Sequence, residues 1–283
     1  MKTIRLLYPD FISGGSEVYY FGSNLLQHIL PKNDKQRLIK VDVLPPEETE
    51  TDVVDGIYGT EFVAHGIMSA IEKIEEEQPD RIITIGGNCL VSFAPFDYLH
   101  GKYDNVGIIW IDAHADVSVK DNGYPYPHAM VLGALLGSGE KLFAEHMKNP
   151  AFKGEDVLYV GLQDLHDYQE VFLNKANVNY TVQTNGPLPI EAIREFAKQY
   201  GHILVHFDID ALDEKLFHST YFANPEAGGD GSGGGIMTMD QVGAVLRIID
   251  ETSSVEGFTI AEYLPFDEYR LHNMLKEVSI FKN

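Results

Sequence analysis

Cysteine is almost missing from this chain. Cys89 stands alone among 283 residues, so no intrachain disulfide can form. That excludes a disulfide-stapled scaffold and fits a reducing, cytoplasmic setting. Basic residues are scarce too: 21 Lys and Arg against 43 Asp and Glu give a formal net charge of −22. Nucleic acids and anionic membranes select basic surfaces, so neither is expected as a partner. No run approaches the roughly 20 apolar residues that span a bilayer. The apolar patch between Met1 and Phe11 is broken by Pro9 and Asp10, too soon for a secretory signal. The Gly-x-Ser-x-Gly elbow of serine hydrolases is also missing.

What is present is an ordinary hydrophobic content of 44% in a chain long enough for a large core. Strand patterns fall at Thr3–Tyr8, Arg37–Val43, Arg81–Ile85, from Val106, and at Asp156–Val160, His202–Asp210 and Val255–Ala261. Helical patterns fall at Val18–Leu30, Thr60–Glu77, His128–Leu136, Glu140–Met147, Pro189–Tyr200, Met239–Asp250 and Glu268–Glu277. In Thr60–Glu77 the residues Phe62, Val63, Ile67, Ala70, Ile71 and Ile74 recur at helical spacing. This alternation predicts one α/β domain over residues 1–283, with a mainly parallel sheet between two helical layers. The glycine-rich stretch Gly228–Gly235 lacks the Gly-Lys-Ser/Thr ending of a P-loop. It reads either as an active-site loop or as a flexible connector.

Two segments carry the chemistry. The run Val106-Gly107-Ile108-Ile109-Trp110-Ile111 suits a strand buried on both faces, and it leads into Asp112-Ala113-His114-Ala115-Asp116. If the strand stays extended, Asp112, His114 and Asp116 share a face. Two carboxylates and an imidazole at the carboxyl end of a strand point to a cation site, the alternative being a solvated turn. In the second segment Ile203, Val205, Phe207 and Ile209 alternate with His206, Asp208 and Asp210. Were the two strands neighbours, the carboxylates would surround one pocket. Oxygen-rich donors with one imidazole favour Mn(II) or a similar ion, and bridging carboxylates favour a pair of them.

These motifs resemble those of the arginase or ureohydrolase family, binuclear manganese hydrolases of guanidino and amidine groups. Gly86-Gly87-Asn88-Cys89 resembles the family's Gly-Gly-Asp-His. Asp112–Asp116 matches its Asp-x-His-x-Asp, and Phe207–Asp213 resembles its Asp-x-Asp-x-x-Asp. His128 and Glu262 match a following histidine and a late strand-end glutamate. The resemblance implies a three-layer αβα fold and a metal-dependent hydrolase of linear C–N bonds. It implies two Mn(II) per chain and a cytoplasmic homo-oligomer, trimer or hexamer. Asp112 and Asp208 would bridge the metals. Cys89 and Asp116 would complete one position, His114 and Asp210 the other. Asp116 would hold the nucleophilic water, His128 would shuttle a proton and Glu262 would orient a cationic guanidino or amidine substrate.

Some positions depart from the pattern. Cys89 replaces a histidine ligand, so it ligates a softer ion, stays a buried thiol beside an empty position, or leaves that position to carboxylates and water. Asn88 replaces an aspartate. His206 stands where the family carries a small residue, as an orienting partner, a substitute ligand or a satisfied core histidine. Arginases place Asn and Ser after Asp-x-His-x-Asp to hold an amino acid's carboxylate. Here Val117–Pro127 is stiff and aromatic, with two Tyr-Pro pairs, and His166 stands where an acidic residue is expected. Arginine itself is therefore not the expected substrate. The changes at Cys89 also leave open a mononuclear amide hydrolase resembling deacetylases, or a binding protein without turnover.

Overall fold

The computed structural model describes residues 1–224 and 233–281. Its strands are β1 (Thr3–Tyr8), β2 (Arg37–Lys40), β3 (Val53–Val54), β4 (Ile57–Tyr58), β5 (Arg81–Gly86), β6 (Val106–Ile111), β7 (Val157–Val160), β8 (His202–Asp208) and β9 (Ser254–Ala261). Its helices are α1 (Val18–Ile29), α2 (Thr60–Glu77), α3 (Phe93–Lys102), α4 (Val131–Leu135), α5 (Lys141–Ala144), α6 (Asp167–Lys175), α7 (Ile190–Ala197), α8 (Met239–Thr252) and α9 (Phe266–Lys276). The short β3 and β4 pair with each other. The other strands form a seven-stranded sheet in the order β2-β1-β5-β9-β8-β6-β7, parallel throughout. Strand β6 is buried at every residue, as a central parallel strand requires.

Alternation along the strands builds two cores, one on each face. Ile108, Trp110 and Leu204 join the first, with α2 (Thr60–Glu77) and α3 (Phe93–Lys102). Ile109, Ile111, Ile203, Val205 and Phe207 join the second, with α7 (Ile190–Ala197) and α8 (Met239–Thr252). Helix α2 buries Val63, Ile67, Ala70 and Ile74 along one stripe. It ends at Gln78, whose left-handed backbone donates its N–H to Ile74 O, with Pro79 beyond. Helix α8 is started by Thr238, whose side chain accepts from Gln241 N.

Several sequence expectations change. The strand ending in the first motif stops at Ile111, and Asp116 has a left-handed φ of 52°. The motif is a loop, so its side chains converge by a turn and not by strand alternation. Strand β8 likewise ends at Asp208 and tightens into a 3-10 turn over Ile209–Ala211. The expected helix at His128–Leu136 is a 3-10 turn, Pro127–Met130, followed by Val131–Leu135. Pro127 sits in its first turn, where the missing N–H costs nothing. The helix at Glu140–Met147 shrinks to Lys141–Ala144. Of Gly228–Gly235, residues 228–232 lie outside the described residues.

Gly87 follows β5 where two segments pinch it. Its N–H donates to Tyr8 O at 3.0 Å, and its carbonyl accepts from Glu262 N at 2.8 Å. A Cβ here would stand 1.7 Å from Asp10 O. Gly87→Ala should therefore destabilise the fold by about 1–3 kcal/mol. Chemical denaturation measures this, and an unchanged midpoint would show that the Asp10 loop yields freely.

Candidate metal centre

The β6–β8 and β8–β9 registers bring Ile111, Phe207 and Ile260 level. The next residues, Asp112, Asp208 and Ala261, continue along that edge, with Glu262 one step further. On the far side of β9, β5 ends in Gly86, and a 3-10 turn over Cys89–Ser92 follows. Four neighbouring strands thus deliver their carboxyl ends to one place, as ligand sites in such sheets do.

Backbone and indole N–H groups aim the Asp112 and Asp208 carboxylates. Asp112 Oδ1 accepts from His114 N at 2.7 Å, and its Oδ2 from Trp110 Nε1 at 2.9 Å. Asp208 Oδ1 accepts from Asp210 N at 2.7 Å. Asp116 is held through its carbonyl, which accepts from Leu132 and Gly133 N–H groups. Asp116 and Glu262 both adopt left-handed backbone, with φ of 52° and 60°. For a residue with a Cβ this costs about 1–2 kcal/mol, a strain typical of functional positions.

The expected ligands come together. Cys89 Sγ lies 2.8 Å from Asp208 Oδ2 and 3.6 Å from Glu262 Oε1. His114 Nδ1 lies 2.9 Å from Asp210 Oδ2 and 3.7 Å from Asp112 Oδ1. Candidate ligand atoms fall into overlapping groups, each within 4.8 Å: Cys89, Asp112, Asp116 and His206; Asp112, His114 and Asp210; Asp208, Asp210 and Glu262; Cys89, His128 and Glu262. His128 Nδ1 sits 3.1 Å from Glu262 Oε1, and its Nε2 sits 3.1 Å from Tyr124 OH.

Crowding without a counter-charge shows in the protonation of these groups. Burial pushes the Asp112 and Asp208 carboxyls well above the usual carboxylate range, with Asp116 adding to the first and Asp210 to the second. Burial likewise raises Asp116 to about 7. Burial and then Asp116 drive the Cys89 thiol upward. Burial opposes charge on His114, but Asp210 outweighs it and raises the imidazole well above its usual value. Burial opposes ionisation of Asp210 too, and His114 outweighs it and lowers that carboxyl. Buried atoms Asp116 Oδ2, His114 Nε2 and His206 Nε2 have no hydrogen-bond partner. Clustered carboxylates, thiol and imidazoles with unpaired donor atoms fit divalent cations.

The arginase family model matches residues 39–273. The chain belongs to the arginase family. It is similar to the arginase of Plasmodium berghei, 28% identical over 68% of this chain and 54% of that one, so the match spans about half that relative's length. The Staphylococcus aureus arginase is 24% identical over 76% of this chain and 72% of its own. The crystal structure of Entamoeba histolytica arginase in complex with L-ornithine superposes with a TM-score of 0.75 at 17% identity, covering 93% of this chain and 91% of that one. A formimidoylglutamase from Bacillus subtilis reaches 0.62 at 15% identity, covering 93% and 79%. The three-layer arginase fold expected from the sequence is the fold observed.

At three positions that the sequence singles out, the partners were not legible in it. Asn88 is held by distant groups: its Nδ2 donates to Asp10 O at 3.0 Å, and its Oδ1 accepts from Ser13 Oγ at 2.8 Å. An aspartate could not donate to Asp10. Tyr19, Tyr124 and Tyr126 surround His128, at ring separations of 6.4, 5.9 and 6.5 Å. The Tyr-Pro pairs were the only signal of that wall. His206 is fully buried, its ring stacked on Trp110 at 3.7 Å and its Nδ1 2.8 Å from Ser92 Oγ. Burial lowers its pKa to about 3, so the ring is neutral.

Asp116 sets a pH dependence. The metal-free fold keeps a proton that the unfolded chain releases between 3.8 and about 7. Stability therefore falls as pH rises through that window, by a few kcal/mol at most. Thermal melts at its two ends should show the drop. Asp116→Asn should make it shallower and raise Tm at the upper end, and an unaltered slope would refute the assignment.

Proposed function

We propose that this chain is a metallohydrolase that cleaves a C–N bond in a small guanidino or amidine compound. The observation that carries this reading is the convergence of Asp112, His114, Asp116, Asp208, Asp210 and Glu262 at the adjacent ends of β6, β8 and β9, with His128 beside them. Two divalent cations per chain fit the ligand groups. Mn(II) suits the oxygen-rich position of Asp112, His114, Asp208 and Asp210. Bound there, such cations neutralise the carboxylates and lower the pKa of water at the site.

The remaining groups handle the substrate. Glu262 is 4% exposed. In that low-dielectric setting its carboxylate orients a cationic guanidinium by charge-assisted hydrogen bonds. Burial opposes a proton on His128, but the hydrogen bond to Glu262 outweighs it and raises the imidazole above its ordinary value. His128 thus keeps its proton more firmly than a free imidazole and delivers it to the departing amine, with Tyr124 OH fixing the ring. Asp116 orients the attacking water through whichever carboxylate oxygen a cation leaves free.

The tyrosine wall narrows the substrate. Aromatic faces favour alkyl or aryl guanidines over a zwitterionic amino acid head. With the reading go a cytoplasmic setting, supported by the lone reduced cysteine, and a homo-oligomer, trimer or hexamer, supported by family resemblance. Among the described residues no helix is long and apolar enough to cross a membrane.

The test is turnover of a guanidine and amidine panel by metal-loaded protein, followed through urea and released amine. L-arginine should be a poorer substrate than the same chain lacking its carboxylate. His128→Asn should lower kcat by about 10²–10⁴-fold. Glu262→Gln should raise KM as well. No turnover of any panel member at full metal occupancy would refute the proposal.

A further inference from the structure

His206 is not a satisfied core histidine. It is 0% exposed, and its Nε2 has no hydrogen-bond partner. A buried ring nitrogen left this way is unfavourable, and an alternative ring orientation is costly. The stack on Trp110, 3.7 Å apart and 8° from parallel, fixes the ring plane, and Ser92 Oγ holds Nδ1 at 2.8 Å. Ser92 ends the turn that begins at Cys89. The same indole that supports His206 also donates to Asp112 Oδ2.

The unpaired nitrogen faces the carboxylates. Register pairs Trp110 with His206, and Asp112 and Asp208 lie two residues further along their chains. Nε2 is 3.8 Å from Asp112 Oδ2. Ligand atoms of Cys89, Asp112, Asp116 and His206 lie within 4.8 Å of one another. Asp116 Oδ2, the other orphan of that group, is also buried without a partner. Nδ1–H donating to Ser92 Oγ would leave Nε2 as the lone-pair donor, the usual arrangement of a metal-bound histidine.

We propose that His206 is a metal ligand, and that Cys89, Asp112, Asp116 and His206 form the second cation position. This rests on the binuclear reading above and assigns the half of the site where Cys89 stands. The imidazole missing from the β5 turn is supplied from β8 below. One thiolate, one imidazole and carboxylates make a softer set than the Asp112, His114, Asp208 and Asp210 position. The second position therefore selects Zn(II) over Mn(II). The thiol proton is released to solvent on binding.

The test is metal stoichiometry and Co(II) absorption on the full chain. Wild type should hold two Zn(II), and Mn(II) alone should fill one position tightly. His206→Phe keeps a ring over Trp110 without the nitrogen. It should weaken the second ion by at least tenfold and alter the Co(II) spectrum. Cys89→Ser should abolish the sulfur-to-Co(II) charge-transfer band. Two Zn(II) and an unchanged spectrum in His206→Phe would overturn the assignment, and would mean a buried water at Nε2. Should His206→Phe fail to fold, X-ray absorption of Zn(II) in a His114→Ala, His128→Asn chain decides. One sulfur and one imidazole in the shell support the proposal, and sulfur without imidazole overturns it. A wild-type chain that binds neither metal would instead refute the metallohydrolase reading as a whole.

Discussion

Negative charge packed at one edge of the sheet is the constraint on which the rest depends. Asp112, Asp116, Asp208, Asp210 and Glu262 are each no more than 4% exposed. Such groups cannot all ionise together in a low-dielectric setting without cations. The protein accommodates them by aiming backbone and indole N–H groups at individual oxygens and by pairing Asp210 with His114. The structure is built to hold charge in place, and that charge then recruits the cations.

How much of this could be read from the residues depends on how far each signal reaches. The β6 and β8 patterns were plain, because a doubly buried strand and a clean alternation are local. Their adjacency was inferred because each motif supplies ligands the other lacks, and the register bears it out. The path of the first motif was misjudged. Alternation predicted an extended segment, whereas Asp116 turns into left-handed backbone with no glycine to announce it. Helix α3 went unread because Pro95 and Gly101 interrupt it and nearly all its faces are buried. The helix Asp167–Lys175 went unread for the opposite reason, being largely polar.

The departures from the family pattern gain meaning only from distant partners. Asn88 answers to Asp10, 78 residues away, and His206 to Ser92, 114 residues away. Neither spacing is visible to any periodicity. The tyrosines around His128 likewise come from two separated segments, Tyr19 on the first helix and Tyr124 and Tyr126 on the loop. Substitutions that look like losses one at a time thus sit in rebuilt surroundings.

The strand order has a consequence for assembly. Strand β9 is the last in the chain, yet it lies in the middle of the sheet, between β5 and β8. Before it inserts, β2-β1-β5 and β8-β6-β7 are two half-sheets with no common edge. The Cys89 turn then belongs to one half, and Asp112 and Asp208 to the other. The closing strand must pair with segments translated long before it, a topology of high contact order that slows folding. During synthesis the amino-terminal parts emerge first, so the ligands of the two halves stay apart until residues beyond 261 have left the ribosome. Joining Cys89 to the other ligands is thereby tied to completion of the sheet, whereas Asp112, His114, Asp208 and Asp210 already share the β6–β8 edge before β9 arrives.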